Sequence, residues 1–493
     1  MFISFGTGQV SSTTIGFILH LVIALFLTIQ ILLDNKIPQS AIAWILTLFL
    51  LPFVGAAFYL FSGVNWKRRK IVEQRPEELF GRYLKPALDH QQQYIAKEHA
   101  RLDSDVVKTL HMNLFNSNAL ITVHNEVEVF FSGEQCFDRL FKDLRAARES
   151  IHLEYFIYRD DEVGYELYTI LAQKVSEGVE VRLLVDGFGS MFTLSPRGRR
   201  ELQEAGVEVR TFLNPKNIIG AWLINYSNHR KIAVIDGTIA YMGGMNIGRE
   251  YLDGGTRFSH WRDTHLRFTG ESTALLQSTF LADWINSGGK VDKLHRYFSL
   301  QETDVPEEEF RYLPAQIICS GPDSTWYSVQ HLYFSIIANA DRTVLIQSPY
   351  FVPDDGIKTA LETAALSGID VRLMMAGLPD KHIPFWAAQT YFPSLLEAGV
   401  KIYLYTGGFF HSKVVAVDDL IVTTGSCNMD VRSFFLDYEV NAVFFDEVMG
   451  KTFADQFARD MEQCTEMTKE LYRTVSLPRQ LRNSVCRIFS PLL

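Results

Sequence analysis

A motif that occurs twice constrains the fold of this 493-residue chain more than any other feature. The two copies of H-x-K-x4-D consist of His229, Lys231 and Asp236, and of His411, Lys413 and Asp418. In both copies an asparagine follows the histidine at the same spacing, at Asn246 and at Asn428. Two extended copies in one register predict an internal duplication. They also bring two histidines, two lysines and two amides to one shared site.

The duplication continues in the sequence around the motifs. Residues 178–184 are similar to 368–374, and residues 204–209 are similar to 397–402. Each half alternates amphipathic helices with short strands rich in β-branched residues, which predicts an α/β sheet with helices on its faces. The predicted segments are a connector at 71–112, a first half at 113–290 and a second half at 312–493.

Each motif lies on a predicted buried strand. Because successive side chains of a strand alternate between its faces, the histidine and the lysine project to the same side. Asp236 and Asp418 are candidate catalytic residues by the motif. Each of them ends its strand just before a turn, however, and this position favours a backbone-capping role.

Two apolar segments near the N-terminus predict a membrane anchor. Residues 15–33 and 41–61 are each about 20 residues long, roughly 30 Å of helix, which matches the hydrocarbon core of a bilayer. We predict a transmembrane hairpin within residues 1–70. Four basic residues at 67–70 follow the second span at once, so the positive-inside rule places both the N-terminus and the large C-terminal part in the cytoplasm.

Composition excludes several classes of protein and site. The net charge of −10 argues against a nucleic-acid partner. Five cysteines without a CxxC pair argue against disulfides and a zinc site. No cofactor and no metal are expected, since neither a nucleotide-binding motif nor a ligand-spaced His/Asp/Glu cluster is found. The oligomeric state is not readable, and a homo-oligomer stays open.

The motif residues have the chemistry for phosphodiester exchange. A neutral imidazole can attack phosphorus and form a phosphohistidine, while a second, protonated imidazole protonates the leaving oxygen. Lys231, Lys413, Asn246 and Asn428 can stabilise the phosphate oxygens. Asp263 and Glu439 lie in matching downstream segments, so we assign them as the carboxylates that orient the histidines.

Two further polar residues, Glu154 and Gln347, occupy equivalent predicted strand ends. They either line the site or are core groups satisfied by their neighbours, and the sequence leaves both alternatives open. The remaining histidines have no repeated context, so a surface or packing role is favoured for each of them.

The C-terminal tail combines basic and apolar residues at helical spacing. Arg479, Arg482 and Arg487 alternate with Leu481 and other apolar residues. This basic amphipathic pattern is typical of a segment on an anionic bilayer, and a terminal helix docked on the protein gives the same pattern.

The duplicated motif resembles that of the phospholipase D superfamily, over about residues 115–493. The N-terminal hairpin and the runs at 243–251, 261–267 and 490–493 are similar to bacterial cardiolipin synthases, which join two phosphatidylglycerol molecules and release glycerol. The resemblance implies two phospholipase D-like α/β/α halves with pseudo-two-fold symmetry, one shared active site and an inner-membrane location. It also implies His229 as nucleophile and His411 as acid, although the symmetry permits the reverse.

One difference between the two copies bears on phosphate binding, and three rival functions stay open. Ser426 stands where the first copy has Gly244, so only the second half can offer a serine hydroxyl to a phosphate. A hydrolytic phospholipase D would use the same residues with water as acceptor. A nuclease is disfavoured by the hairpin and the acidic charge, and a non-catalytic scaffold is disfavoured because both motifs are complete.

Overall fold

The computed structural model describes residues 12–34, 38–63, 104–213, 226–292, 294–298 and 312–488. The chain divides into two compact units. Of the described residues, the smaller unit contains 12–34 and 38–63, and the larger unit contains the rest. The basic run at 67–70 and most of the predicted connector lie outside the described residues.

Among the described residues, one helix is long and apolar enough to cross a membrane. Helix α1 spans Ser12–Leu33, and its segment Thr14–Leu33 has a mean hydropathy of 2.5. The second predicted span is interrupted: α2 ends at Leu50, and α3 begins after a turn that contains Pro52. Proline lacks the N–H that would continue the helix, and the next residue, Phe53, has a φ of 58°. The bounds are α2 Pro38–Leu50, α3 Val54–Phe58 and a π-helical turn Tyr59–Gly63.

The first half of the larger unit begins with a helix that extends into the predicted connector. Its helices are α4 Ser104–Ser117, α5 Gly133–Ala146, α6 Glu162–Ser176, α7 Pro196–Glu204, α8 Arg249–Asp253 and α9 Ser272–Asn286, with a 3-10 turn at Leu294–Tyr297. Its strands are β1 Ile121–Ser132, β2 Ser150–Tyr155, β3 Glu180–Asp186, β4 Glu208–Phe212, β5 Ser227–Asn228, β6 Lys231–Ile235, β7 Ile239–Gly243 and β8 Trp261–Gly270.

The second half repeats this alternation of strands and helices. Its strands are β9 Tyr312–Ser320, β10 Thr343–Gln347, β11 Phe351–Val352, β12 Asp370–Ala376, β13 Lys401–Tyr405, β14 Phe409–Phe410, β15 Val414–Val417, β16 Ile421–Gly425, β17 Met429–Asp430, β18 Asp437–Phe445 and β19 Cys464–Met467. Its helices are α10 Ser328–Ala338, α11 Asp355–Leu366, α12 His382–Ala388, α13 Phe392–Ala398, α14 Val431–Phe435, α15 Glu447–Met461, α16 Lys469–Arg473 and α17 Leu477–Ile488.

The two halves contain equivalent mixed sheets, as the duplication predicts. The first sheet has the order β1-β8-β7-β6-β2-β3-β4, and the second has the order β9-β18-β16-β15-β10-β12-β13-β19. The motif strands β6 and β15 lie inside these sheets, and all their residues are buried. An antiparallel pairing of β1 with β9 joins the two sheets.

Two short strands cross between the halves. Strand β5, which precedes the first motif, pairs in parallel with the start of β18 in the second half. Strand β14, which precedes the second motif, pairs in parallel with the start of β8 in the first half. The backbone N–H of His229 donates to Tyr438, and that of His411 donates to Arg262. Each motif histidine is therefore fixed to a strand of the opposite half.

Two end segments of the larger unit pack against the protein: the first shortens the predicted connector, and the second agrees with the docked alternative for the tail. Helix α4 begins at Ser104, and Val106 and Leu110 pack into the core of the second half, so the connector cannot extend to residue 112. Helix α17 docks on the protein: Asn483 is buried and donates to Gln389, and Arg482 lies over the ring of Trp386.

Candidate active site

Both motif histidines line a single cavity of about 470 Å³, formed by residues of both halves. This volume is in the usual range for a small-molecule site. The ring of Phe156 lies 5.0 Å from that of His229, and the ring of Trp261 lies 5.3 Å from that of His411. Tyr350 also lines the cavity. One site thus has two imidazoles with aromatic neighbours.

A carboxylate from the second half holds the histidine of the first half. Nδ1 of His229 lies 3.1 and 3.2 Å from the two carboxylate oxygens of Glu439 and 3.0 Å from the carbonyl oxygen of Ser426. Because the carbonyl and an ionised carboxylate only accept, Nδ1 carries the hydrogen. The lone pair of this imidazole is therefore on Nε2.

The second histidine has the mirror-related arrangement. Nδ1 of His411 lies 2.7 Å from Oδ2 of Asp263, which belongs to the first half. Glu439 and Asp263 were both assigned as orienting carboxylates from the sequence, and the structure brings each of them to a histidine. The sequence does not show that each histidine is bound by the carboxylate of the other half, because each histidine is far from its carboxylate along the chain.

Burial sets the protonation states of this cluster. It lowers the pKa of His229 to about 4, although Glu439 acts in the opposite direction. Burial also lowers the pKa of His411 to about 4, against the effect of Asp263. For both carboxyl groups burial raises the pKa, but the neighbouring histidine and lysine outweigh it and the pKa falls below its ordinary value. Near neutral pH the cluster therefore has neutral imidazoles and ionised carboxylates.

The motif lysines are buried behind the histidines. Nζ of Lys231 donates to the carbonyl oxygen of His229 at 2.5 Å, and Nζ of Lys413 donates to that of His411 at 2.5 Å. Burial lowers the pKa of Lys231 to about 7 and that of Lys413 to about 8, although nearby carboxylates raise it. Their positive charge is therefore sensitive to pH near neutrality.

The asparagines that follow the motifs are held in different ways. Asn246 lines the cavity, accepts from the backbone N–H of Ile157 and donates to the hydroxyl of Tyr251. Asn428 donates to the hydroxyl of Ser433, while its buried Oδ1 has no hydrogen-bond partner within the described part of the chain. A phosphate contact from either amide stays a prediction.

Ser426 is engaged with the orienting carboxylate. Its hydroxyl donates to Glu439 and accepts from the backbone N–H of Val440 at 3.0 Å. In this arrangement the single hydroxyl hydrogen is used within the protein. Ser426 therefore holds Glu439 in place next to His229. A contact between Ser426 and phosphate, as predicted from the sequence, would require the hydrogen bond from Ser426 to Glu439 to break.

Asp236 and Asp418 lie at the far ends of the motif strands. Asp236 accepts from the backbone N–H groups of residues 148–150 at 2.7 to 2.9 Å, and Asp418 accepts from those of residues 341–343 at 2.7 to 2.8 Å. Five residue steps of about 3.3 Å each separate Lys231 from Asp236 along the strand. The catalytic assignment of these two aspartates is thus corrected: each has a positive φ and caps the turn before the neighbouring strand.

Glu154 and Gln347 belong to buried polar networks behind the site. Glu154 accepts from Asn228, and burial raises its pKa well above its ordinary value, with nearby Asp283 adding to the effect. Gln347 accepts from Ser412 and donates to Asp460 at 2.8 Å. Neither side chain lines the cavity. Their positions agree with the core alternative rather than with a place in the site.

Several cavity residues have no counterpart in the sequence-based assignment. Arg257 and Lys381 lie on loops that carry no repeated motif, so only the fold brings them together. Phe156 and Tyr350 lie in the repeated Tyr-Phe pairs 155–156 and 350–351, but the sequence-based assignment did not include them. Trp261 lies two residues before Asp263, and its position on the alternating strand β8 could have indicated a place near the site.

Comparisons with known proteins show which families the chain is similar to. A family profile described as "Cardiolipin synthase, PLD-like domain" matches residues 140–280 and 333–464, and one described as "Phospholipase_D-nuclease N-terminal" matches 22–63. A cardiolipin synthase of Halalkalibacterium halodurans is 39% identical and covers 97% of this chain and 93% of its own. The major cardiolipin synthase ClsA of Bacillus subtilis is 37% identical, with 97% and 98% covered.

A solved structure supports the fold. The phosphatidylserine synthase of Haemophilus influenzae Rd KW20 superposes with a TM-score of 0.59 at 15% identity, covering 78% of this chain and 100% of that one. A duplicated α/β fold with two carboxylate-bound H-x-K histidines at one cavity defines a phospholipase D-type enzyme. Within that class, the chain belongs to the cardiolipin synthase family.

Proposed function

We propose that this chain is a membrane phosphatidyltransferase that makes cardiolipin from two phosphatidylglycerol molecules and releases glycerol. The observation that carries the proposal is the pair of imidazoles at one cavity, each with its Nδ1 hydrogen directed at a carboxylate of the opposite half. The lone pair of each Nε2 is then available for chemistry. Relatives named cardiolipin synthase cover nearly the full chain and support this substrate class.

The first half-reaction forms a phosphohistidine. Nε2 of His229 attacks the phosphorus of one phosphatidylglycerol, and the bond from phosphorus to the headgroup glycerol oxygen breaks. His411, protonated once the anionic substrate is bound, gives its proton to that oxygen, and glycerol leaves. Glu439 stabilises the positive charge that develops on the ring of His229.

The second half-reaction transfers the phosphatidyl group to another lipid. Neutral His411 accepts the proton of a glycerol hydroxyl on a second phosphatidylglycerol, and that oxygen attacks the phosphorus. The bond between phosphorus and Nε2 breaks, so His229 is regenerated and cardiolipin is released. In both steps Lys231, Lys413 and the two asparagines are proposed to stabilise the phosphate oxygens. The cycle requires no cofactor.

We also propose a multi-pass location in the bacterial inner membrane, with the catalytic unit in the cytoplasm. The apolar helix α1 and the match of residues 22–63 to an N-terminal family profile support membrane association. The break at Pro52 leaves α2 too short to cross a bilayer as one straight helix, so the second pass of this proposal needs α2 together with α3 and the following turn. A protease-protection assay on right-side-out cells tests the orientation, and cleavage of the catalytic unit from outside would contradict it.

Analysis of lipid products tests the proposed function. The full chain, reconstituted in phosphatidylglycerol vesicles, should produce cardiolipin and glycerol in equal amounts. His229→Ala and His411→Ala should each reduce turnover at least about 10³-fold, because each histidine has a separate task on one phosphorus. His111→Ala, on α4, is the control for a histidine outside the cavity. Phosphatidic acid as the only product would identify a hydrolytic phospholipase D instead.

A further inference from the structure

We propose that Arg257 and Lys381 form a binding site for the phosphate group of the acceptor lipid at the mouth of the catalytic cavity. This inference rests on the proposed function, and it identifies the part of the protein that distinguishes an anionic phospholipid acceptor from water or a simple alcohol. The site would take a phosphodiester with one negative charge, such as that of a second phosphatidylglycerol.

The two cations converge on one segment of the rim. Both line the cavity, and both side chains are exposed. Nη2 of Arg257 donates to the carbonyl oxygen of Pro379 at 3.1 Å. Pro379 precedes Lys381 by two residues, so the guanidinium group lies at the loop that carries Lys381. Nζ of Lys381 lies 5.5 Å from the ring centroid of Tyr350, whose hydroxyl donates to Asp380 at 2.7 Å. Arg257 and Lys381 thus come from opposite halves and meet at the same loop.

Arg257 and Lys381 differ from Arg159 and Arg249, the two further arginines that line the cavity, because those two form ion pairs with carboxylates. Nε of Arg159 donates to Glu250 at 2.9 Å. Arg249 forms ion pairs of 3.2 Å with Glu162 and with Asp253. Across the described ranges, neither Arg257 nor Lys381 forms an ion pair with a carboxylate. Apart from the bond between Nη2 of Arg257 and Pro379, the donors of both groups are therefore available to an anion, and a guanidinium group beside an ammonium group matches phosphate well.

The cations lie on the side of the cavity that an acceptor would use. The guanidinium carbon of Arg257 is 5.1 Å from the ring centroid of Phe258. That ring contacts Trp261 at 6.3 Å between centroids, and Trp261 in turn contacts His411. If His229 carries the phosphatidyl group, an in-line acceptor hydroxyl approaches from the face near His411. The acceptor's own phosphate, one glycerol unit away, then lies toward Arg257 and Lys381.

The equivalent loops of the two halves differ in their charged side chains. The loop after β12, residues 377–381, contains Asp380 and Lys381, whereas the loop after β3, residues 187–193, contains no charged side chain. The cavity is therefore asymmetric although the folds of the halves are equivalent. This asymmetry provides a physical basis for two lipids of the same kind to take different places, one as donor and one as acceptor.

A competition between two acceptors tests this site. The full-length enzyme is incubated with phosphatidylglycerol vesicles and ethanol, so that the same phosphatidyl-enzyme is partitioned between cardiolipin and phosphatidylethanol. Ethanol is a primary alcohol without a phosphate group. In Arg257→Gln/Lys381→Gln the ratio of cardiolipin to phosphatidylethanol should fall at least about tenfold, the effect of losing one charge-assisted hydrogen bond. Lys381→Glu should lower the ratio further, while Arg257→Lys should preserve most of it.

Controls separate the possible results. Arg197→Gln removes an exposed cation on α7, outside the cavity, and should leave the ratio unchanged. Glycerol release reports total formation of the phosphatidyl-enzyme and verifies that the variants are folded. An unchanged ratio in the double variant, or equal losses of both products, would overturn the acceptor site. If the wild-type enzyme makes phosphatidic acid and no cardiolipin, the proposed function fails and this site fails with it.

Discussion

At the scale of single residues, the dominant feature is the exchange of carboxylates between the halves. Glu439 is fully buried, accepts from His229 and Ser426, and lies on a strand of the second half. Asp263 occupies the equivalent position toward His411. Because an imidazole with hydrogen on Nδ1 presents a lone pair at Nε2, each carboxylate determines which nitrogen can react. Neither half alone can then present a correctly oriented histidine.

Replacing the carboxylate by its amide tests this dependence. In Glu439→Gln the residue keeps its shape but loses the charge that stabilises the ring of His229 when it becomes positive. We expect kcat to fall about 10²–10⁴-fold with little change in KM, the pattern of an interaction made in the transition state. Steady-state kinetics on phosphatidylglycerol micelles measures this effect. The exposed Glu466→Gln is the matched control, and wild-type kcat in Glu439→Gln would contradict the assignment.

His265 is a buried histidine whose role is structural. Its Nδ1 accepts from the backbone N–H of Met245 at 3.4 Å, in the turn that precedes Asn246. The equivalent residue of the second half is Asn441, whose Oδ1 accepts from Cys427 at 3.3 Å. Burial lowers the pKa of His265 to about 4. Since the accepting nitrogen must remain unprotonated, a proton here breaks the bond that holds the turn.

His265→Asn should therefore reduce the acid sensitivity of the fold. The unfolded chain binds a proton near pH 6.5 and the folded chain only near pH 4, so stability is complete above pH 6.5 and is lost as the pH falls toward 4. Between pH 7 and pH 5 the variant should lose about 2 kcal/mol less than the wild type. Urea unfolding followed by tryptophan fluorescence checks this, with the exposed His382→Asn as control. Equal losses in both proteins would contradict it.

At the scale of secondary-structure elements, the C-terminal helix has an unexpected orientation. Arg482 and Arg487 lie over the rings of Trp386 and Tyr391, at 4.1 and 4.6 Å from their centroids. The apolar residues point away from the protein; Leu481 and Ile488 are 65% and 74% exposed. The sequence pattern correctly indicates an amphipathic helix. It cannot show which face is covered, because that depends on the aromatic residues of α12 and the segment after it.

This orientation predicts that α17 contacts lipid through its apolar side. In a chain that lacks its first 63 residues, Leu481→Asp should weaken binding to phosphatidylglycerol vesicles about tenfold, since burying one leucine contributes about 1.5–3 kcal/mol. Added salt should have a smaller effect than for a basic contact surface. Val448→Asp, an exposed apolar residue on α15, is the control for vesicle flotation assays. Equal binding of both variants would show that α17 is only a docked helix.

At the scale of the whole molecule, the duplication was readable from the sequence and the interface between the halves was not. Motif spacing and strand alternation predicted two equivalent α/β halves, with His229 and His411 at one site. Arg262 of β8 forms a buried ion pair of 2.8 Å with Asp460 of α15, which belongs to the other half. No local sequence pattern predicts this ion pair. Hydropathy also does not predict the interruption at Pro52, because the residues around it are apolar although the backbone changes direction there.

The protonation states of the whole cluster predict the pH dependence of catalysis. The nucleophile must be neutral, and the pKa of His229 is about 4, so the acid limb of kcat should lie well below the ordinary histidine value of 6.5. His411 takes up its proton when the anionic substrate binds, as proposed above, and does not set this limb. Loss of protons from Lys231 and Lys413, with pKa values of about 7 and 8, removes positive charge from the phosphate site as the pH rises. The rate should therefore fall above about pH 7 to 8.

These limbs belong to the coupled cluster rather than to single residues. Initial rates of glycerol release between pH 4 and pH 9.5, with the fold monitored by tryptophan fluorescence, provide the measurement. In Glu439→Gln the carboxylate that raises the pKa of both His229 and Lys231 is lost, so both limbs should move to lower pH. An acid limb at 6.5, or a rate that rises steadily through pH 9, would show that the buried histidine and lysine pairs do not control turnover.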